Sequence, residues 1–454
     1  MKRIIILVGM VLAGYACGGS LMSDPLWANP LDNFGFGSKW TAMGGAVTGL
    51  VNDVGAVYYN PAGVVQADRV YFSIGYFYAD PSLEINDYDI DEATVSGIVA
   101  GVITPPMKVY KFKFGGGAAI HIPDRRVARS LAIPYDQPTF VMYGARNQRM
   151  IAQFPFALEL APWFSIGGAI SMFIKTGGGP NFLLREDRPD NQGLWSEGSI
   201  SATQKGAFFP TAGFMLHATK RLHFGFCYKG KNEILYEVPL KVTIEPLYLG
   251  LPFPVLGQSL IDMDQHVYMF FAPEQFSLGA GIEIHDRTVI GLDVTLARWS
   301  TFRQPSPEGA TVYSGGIAQI VPPNPNYPLP EPDFSDILIP SVGIEYKAYD
   351  SVDWRFFVRG GYRFRPSPAP EATGWNNFLD NDTHIFSGGI GCELLGVQEK
   401  LKVLRGPISL DIHFQYFWLM EQEAKKVHPT WDAYGDMRYG GKVISIGTTL
   451  TLCF

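Results

Sequence analysis

Between Ile444 and Phe454 the side chains alternate without a break. Ile444, Ile446, Thr448, Leu450, Leu452 and Phe454 fall on one face of an extended strand; Ser445, Gly447, Thr449, Thr451 and Cys453 fall on the other. Such a strand suits a wall with hydrocarbon on one side and a wet or packed lumen on the other, as in a transmembrane β-barrel. A core strand of a soluble β-domain would alternate too, so the rest of the chain has to decide.

The opening residues read as a secretory signal over 1–16. Met1-Lys2-Arg3 is basic, Ile4 to Gly14 is apolar but too short to span a bilayer, and Gly14 and Ala16 are small residues before Cys17. Cys17 leaves lipidation open. Nothing later is apolar for long enough to be a membrane helix, so a membrane-inserted mature protein must cross as strands.

Only 17% of the 454 residues are charged, where about a quarter is usual, while 14% are aromatic and 50 are glycine. Low charge with many Phe, Tyr and Gly suits lipid-facing strands and tight packing in a lumen. The net charge of −7 argues against a nucleic-acid partner. Cys227, Cys392 and Cys453 fall on strands that are not neighbours, so no disulfide framework is implied.

From about residue 68 the chain reads as fourteen alternating segments, near 68–79, 93–103, 111–122, 148–160, 162–174, 204–218, 220–244, 273–285, 287–299, 337–348, 352–364, 384–394, 407–421 and 441–454. Long connectors at 80–92, 123–147, 175–203, 245–272, 300–336, 365–383 and 422–440 alternate with short ones. That is the rule for an up-and-down outer-membrane barrel, with short periplasmic turns and long outer loops. The expected fold is therefore all-β, a transmembrane antiparallel β-barrel of about 14 strands over 68–454.

The faces sort accordingly. Trp354, Phe356, Val358, Tyr362 and Phe364 oppose Asp353, Arg355, Phe357, Arg359 and Arg363; Ile408, Leu410, Ile412, Phe414, Tyr416 and Trp418 oppose Ser409, Asp411, His413 and Gln415. An Arg or Lys facing lipid at mid-depth costs roughly 2–4 kcal/mol, so the polar faces must point inward. Glu283, Asp293, Glu345, Glu393 and Asp411 join the arginines there. They either brace the lumen, or leave Arg359 or Arg363 to meet an anionic ligand.

Residues 17–67 differ in kind. The stretch Asn33 to Ala67 is rich in Gly and Ala and nearly uncharged, with Asp53 placed to cap a short helix that stops at Asn60-Pro61. So small and apolar a segment suits the bore of a fourteen-stranded barrel as an N-terminal plug.

Here the residues become specific. Met43-Gly44-Gly45-Ala46, Asp53 and Tyr58-Tyr59-Asn60-Pro61-Ala62-Gly63 resemble the N-terminal hatch of the FadL-type long-chain fatty acid transport family. Phe276 to Gly279, Gly291 to Val294 and Arg298 to Phe302 resemble that family's central strands. Arg359-Gly360-Gly361-Tyr362, Pro366 to Pro370 and Asp380 to His384 resemble its later strand, loop and strand. The resemblance implies a hatch whose motif is Asn60, Pro61 and Ala62, and a lateral opening in the third strand, here at Gly115-Gly116-Gly117. Consecutive glycines permit a bulge or a close backbone approach, so they could equally make room for the hatch. It further implies ligand capture on an apolar outer loop, for which Leu249, Leu251, Phe253, Val255 and Leu256 are the candidates.

No catalytic, cofactor or metal signature is present: there is no HExxH, no GxSxG and no phosphate loop. The expectation is a non-enzymatic, cofactor-free outer-membrane channel for passive uptake of hydrophobic compounds. Long-chain fatty acids come first as ligand because a cation is available, and aromatic hydrocarbons second. A general porin or structural barrel, and a lipid-modifying enzyme, are the competing classes. Expected partners are the hydrophobic ligand, outer-membrane lipid and lipopolysaccharide, and the barrel assembly machinery through Phe454; a monomer is expected. Ligand identity, the arginine that contacts it and the state of Cys17 are left open.

Overall fold

The computed structural model describes residues 29–90, 94–124, 128–129, 138–143, 148–173, 177–178, 181–185, 195–200, 202–204, 208–244, 257–303, 308–319, 331–373, 376–397, 401–427 and 435–454. The expected signal sequence and Cys17 lie outside them.

Fourteen antiparallel strands form one closed sheet. They are β1 (Tyr71–Ile85), β2 (Val95–Val109), β3 (Phe112–Pro123), β4 (Ile151–Ala161), β5 (Phe164–Phe173), β6 (Phe208–His217) and β7 (Leu222–Lys229). They continue as β8 (Glu274–His285), β9 (Thr288–Arg298), β10 (Ile337–Asp350), β11 (Trp354–Arg365), β12 (Thr383–Leu394), β13 (Ile408–Ala424) and β14 (Met437–Cys453). Each pairs with its neighbour in sequence, and β1 closes the ring on β14 from Tyr71 opposite Cys453 to Ile85 opposite Tyr439. No helix among the described residues is long and apolar enough to cross a membrane.

Alternation is what makes the wall two-sided. In β14, Val443, Ser445 and Thr449 are buried while Ile444, Ile446 and Leu450 are exposed. In β13, Asp411, His413 and Gln415 are buried while Leu410, Ile412 and Phe414 are exposed. The exposed apolar set is the face a bilayer would cover.

Several boundaries differ from the sequence expectation, among them the end of β2, which runs six residues past the expected 103 to Val109. Strand β1 runs on to Ile85 and turns at Asn86 and Asp87, both with positive φ, to pair with Tyr88–Ile90. Two successive left-handed residues make the type I′ turn that matches strand twist. The expected strand 220–244 is two strands, because the chain breaks after Lys229 and Asn232–Ile244 leaves the barrel. It pairs with Ser259–Ala272, which pairs with Glu308–Gly315, in a separate seven-stranded sheet at the long-loop end. The second half of the expected loop 245–272 is therefore a strand. Its run Asp262, Asp264, Gln265, His266 breaks the apolar period and hides it in the sequence.

The N-terminal segment folds as three short helices, α1 (Pro30–Phe34), α2 (Ser38–Ala42) and α3 (Ala56–Tyr59), followed by a 3₁₀ turn, Pro61–Gln66. Nearly all of it is buried against the inner faces of the strands. The wall admits it through a row of glycines: Gly281, Gly291, Gly343 and Gly361 stand directly opposite one another across four strands. A Cβ on Gly291 would overlap the Ala46 carbonyl, and one on Gly361 would overlap the Gly44 amide. Gly44 and Gly45 themselves have positive φ, which is how the segment bends along this track.

Candidate functional site

Asn60 is fully buried at the corner between α3 and the 3₁₀ turn. Its extended backbone is the one a following proline demands. Its Nδ2 donates to the carbonyls of Thr48 at 2.9 Å and Phe214 at 3.0 Å, while its Oδ1 accepts from the Ala62 amide at 3.2 Å. The Ser165 hydroxyl donates to the Ala62 carbonyl at 3.0 Å. Asn60, Pro61 and Ala62 are thus joined to β5 and β6. Asp53 does not cap α3 with its side chain: its carboxylate accepts from the Gly55 amide and from Trp40 Nε1 at 2.6 Å, with Lys39 Nζ 3.6 Å away.

The three glycines of β3 have three environments. A Cβ on Gly115 would press on the backbone of Val64 and Val65 in the 3₁₀ turn, so this glycine makes room for the segment. Gly116 has only the Pro155 carbonyl near it, at 3.6 Å. At Gly117 the wall is interrupted. The β3–β4 ladder runs from Lys113 opposite Glu159 to Gly116 opposite Phe156 and resumes at Ala119 opposite Gln153, leaving Gly117 and Ala118 unpaired to Pro155 and Phe154. Pro155 has no N–H to give a ladder. On the other side of β3, the β2–β3 pairing carries a bulge between Thr104 and Met107, where Pro105 and Pro106 stand.

A cavity of about 100 Å³ lies on the long-loop side of the N-terminal segment, against β8 to β12. It is lined by Tyr58, Lys229, Asp293, Trp299, Ile339 and Arg363 among others. Lys229 Nζ sits 3.6 Å above the Tyr58 ring and 3.5 Å from Asp32 Oδ1. Burial, and then the Asp32 carboxylate, push the Tyr58 phenol well above its ordinary pKa, and its hydroxyl donates to Asp32.

The structure separates the two arginines that alternation could not. Arg359 is buried and held by Glu345 at 2.6 Å and Asp411 at 2.7 Å. Arg363 faces the cavity and donates to main-chain carbonyls, Gly44 at 2.7 and 3.0 Å and Asp32 at 3.3 Å. Among the described residues no carboxylate forms an ion pair with it.

Two residues that carry the site were not singled out from sequence as its members. Asp293 Oδ2 accepts from the amides of Val47 and Thr48 and from the Thr48 hydroxyl. Arg365 is buried and donates to Asn33, Tyr143, Asp380 and Thr383. Its position, two residues past Arg363 on the same face, was the available signal. Above the cavity Phe271, Trp299, Phe302, Phe334 and Phe378 form one buried aromatic cluster, with Phe302 and Phe334 4.3 Å apart. The capture candidates Leu249, Leu251, Phe253, Val255 and Leu256 lie outside the described residues.

No protein-family model matches the chain. Over 95 residues, 20% of its length, it is 34% identical to the alkane uptake protein A of Marinobacter nauticus, and that stretch spans 18% of the relative. Among solved structures it is similar to a FadL homologue of Pseudomonas aeruginosa, with a TM-score of 0.54 and 16% identity over 95% of this chain and 98% of the other. It is also similar to the toluene transporter TodX of Pseudomonas putida, with a TM-score of 0.53 and 13% identity over 93% and 99%. The fourteen-stranded closed barrel of this chain is therefore the fold of these two solved structures.

Proposed function

We propose that this chain is an outer-membrane channel that takes up hydrophobic molecules passively and releases them sideways through its wall. The observation that carries the reading is the broken ladder at Gly117 and Ala118 opposite Pro155 and Phe154. A closed barrel wall satisfies every backbone group in the membrane, so an interruption needs a use. On the inner side the break is covered by the 3₁₀ turn, whose Val64 and Val65 lie against Gly115. The cavity lies on the far side of the barrel from the break, with the N-terminal segment between them. The segment then acts as a plug: ligand enters past the aromatic cluster, fills the cavity, and leaves when Val64 and Val65 draw back. Apolar partitioning supplies the driving force, and no cofactor or energy source is required.

Long-chain fatty acids are the preferred substrate, with Arg363 as the carboxylate contact and Arg359 as a brace. Among the described residues Arg363 hydrogen-bonds only neutral main-chain carbonyls, which it can exchange for a carboxylate, whereas freeing Arg359 would take the guanidinium from Glu345 and from the buried Asp411. Neutral hydrocarbons are the second reading, favoured by the likeness to an alkane uptake protein and a toluene transporter.

A disulfide across the break is the direct test. In Ala118→Cys/Phe154→Cys, oxidised uptake into proteoliposomes should fall to background and return on reduction, with equilibrium ligand binding unchanged. Full uptake through the oxidised protein would refute the lateral route. Equilibrium binding of a long-chain fatty acid, with toluene as competitor, separates the substrates.

A further inference from the structure

The break in the wall adjoins a hairpin that the uptake reading does not use. Strand β1 stops at Tyr71, opposite Ile103, so residues 104–109 of β2 form a bare edge at the short-turn end. The hairpin continues through Tyr110, at φ +57°, and Lys111 into Phe112, Lys113 and Phe114. Almost every residue in it is exposed, Met107 at 72% and Tyr110 at 88%.

The bulge decides which way each side chain points. Up to Ile103, odd-numbered residues of β2 face inward, as the burial of Val99, Gly101 and Ile103 records. The extra residue at Pro105-Pro106 inverts that order, because a one-residue slip exchanges the two faces of a strand. Met107 now stands opposite Phe114, and Val109 opposite Phe112, on the outer face. Lys108 stands opposite Lys113 on the inner face, where Lys113 pairs with Glu159 at 2.8 Å. The outer face of the hairpin thus prolongs the apolar wall, whose nearest members on β4 are Leu158, directly opposite Phe114, and the exposed Leu160.

Two constraints fix where such a hairpin rests. A bare strand edge cannot lie in hydrocarbon, where unpaired backbone groups each cost several kcal/mol. An apolar face of Met107, Val109, Phe112 and Phe114 does not belong in bulk water. The headgroup boundary satisfies both, and there Tyr and Lys sit well. Pro105 and Pro106 remove two donors from the edge.

We infer that the β2–β3 hairpin is an interfacial anchor, bound to the phospholipid of the periplasmic leaflet with Met107, Val109, Phe112 and Phe114 toward the acyl chains and Lys111 at its tip beside anionic headgroups. The anchor stands on its own geometry. Its consequence rests on the uptake reading: it holds lipid against the gap at Gly117 and Ala118, so that a departing molecule meets acyl chains before water.

The test uses the full chain in bilayers of phosphatidylethanolamine and phosphatidylglycerol, with Cys17, Cys227, Cys392 and Cys453 replaced by serine and a spin label at Met107→Cys, Val109→Cys or Lys108→Cys. Labels at 107 and 109 should be relaxed by oxygen and shielded from a water-soluble nickel chelate, and the label at 108 should show the reverse. Equal access of the chelate to all three would overturn the anchor and make the hairpin a free periplasmic projection. A fluorophore at 109 should be quenched more by spin-labelled phosphatidylglycerol than by spin-labelled phosphatidylcholine, and Lys111→Gln should lower that preference by up to about fivefold. No headgroup preference in the parent would overturn the role given to Lys111. None of these readings depends on transport, so failure here and failure of the uptake reading are distinguishable.

Discussion

Asp293 and Thr48 are joined twice through a single oxygen: Asp293 Oδ2 accepts the Thr48 amide at 2.9 Å and the Thr48 hydroxyl at 2.6 Å. The Val47 amide adds a third bond at 3.0 Å. One buried side chain of β9 therefore holds the middle of the N-terminal segment. Hydrogen bonds to a charged acceptor contribute roughly 1.5–3 kcal/mol each, and an unfilled donor is costly. Asp293→Ala should lower amide-exchange protection at Val47 and Thr48 by at least about tenfold, with strand protection unchanged. It should also raise ion conductance in planar bilayers. Unchanged exchange at both amides would show that the glycine track alone holds the segment.

The two lumenal arginines should part company under mutation. Arg359→Ala takes away the guanidinium that both Glu345 and Asp411 bind and leaves them only the more distant Lys39 as a cation, a loss of up to about 3–5 kcal/mol in a largely buried network. Urea unfolding in lipid should register it. Arg363→Ala strands no carboxylate and should leave the unfolding midpoint nearly unchanged while weakening fatty acid binding about tenfold or more, against unchanged toluene binding. If Arg363→Ala binds fatty acid as well as the parent, the carboxylate contact lies elsewhere.

Glycine substitutions should sort by what lies opposite. Gly291→Ala drives a methyl into the Ala46 carbonyl, and overpacking of this kind costs about 1–3 kcal/mol. Gly116→Ala meets only the Pro155 carbonyl at 3.6 Å, an ordinary contact, and should be silent in unfolding. Equal stability of the two variants would mean that the segment yields easily at Ala46.

Stability should depend on acid at the outer connection between β11 and β12. Burial, partly offset by Arg365, raises the Asp380 carboxyl to about 6 from an ordinary 3.8. The folded state then holds a proton that the unfolded state has released between about pH 4 and 6. Its contribution is complete below the lower value and lost as pH rises through the upper one, up to about 3 kcal/mol in all. Unfolding free energy measured from pH 4 to 7 should fall across this window in the parent, and Asp380→Asn should flatten that part of the slope. A slope that survives in the variant belongs to another group.

Most of the barrel was legible because its physics is periodic. Lipid on one side and polar packing on the other force alternation onto every strand, so the fourteen segments, their inward charges and most of the long and short connectors could be read. The misses have local causes. Asn86-Asp87 supports a turn tight enough to lengthen β1, and nothing in its period announced that. The outer strand Ser259–Ala272 is not bounded by lipid, so its polar run carried no two-sided signal. Alternation placed Arg359 and Arg363 on one face but could not tell a paired cation from one resting on carbonyls; that depends on Glu345, Asp411 and Gly44 arriving from elsewhere in the chain. The dipeptide Pro105-Pro106 was a visible interruption whose meaning, an exchange of faces, required the register.

The row Gly281, Gly291, Gly343, Gly361 bears on how such a molecule is built. A wall without side chains along one ring has nothing of its own to fill that ring, and a barrel that closed empty would enclose a furrow where the backbone of residues 43–48 belongs. The segment and the sheet are two halves of one mould, and the seam between β1 and β14 should close last, around a core already in place.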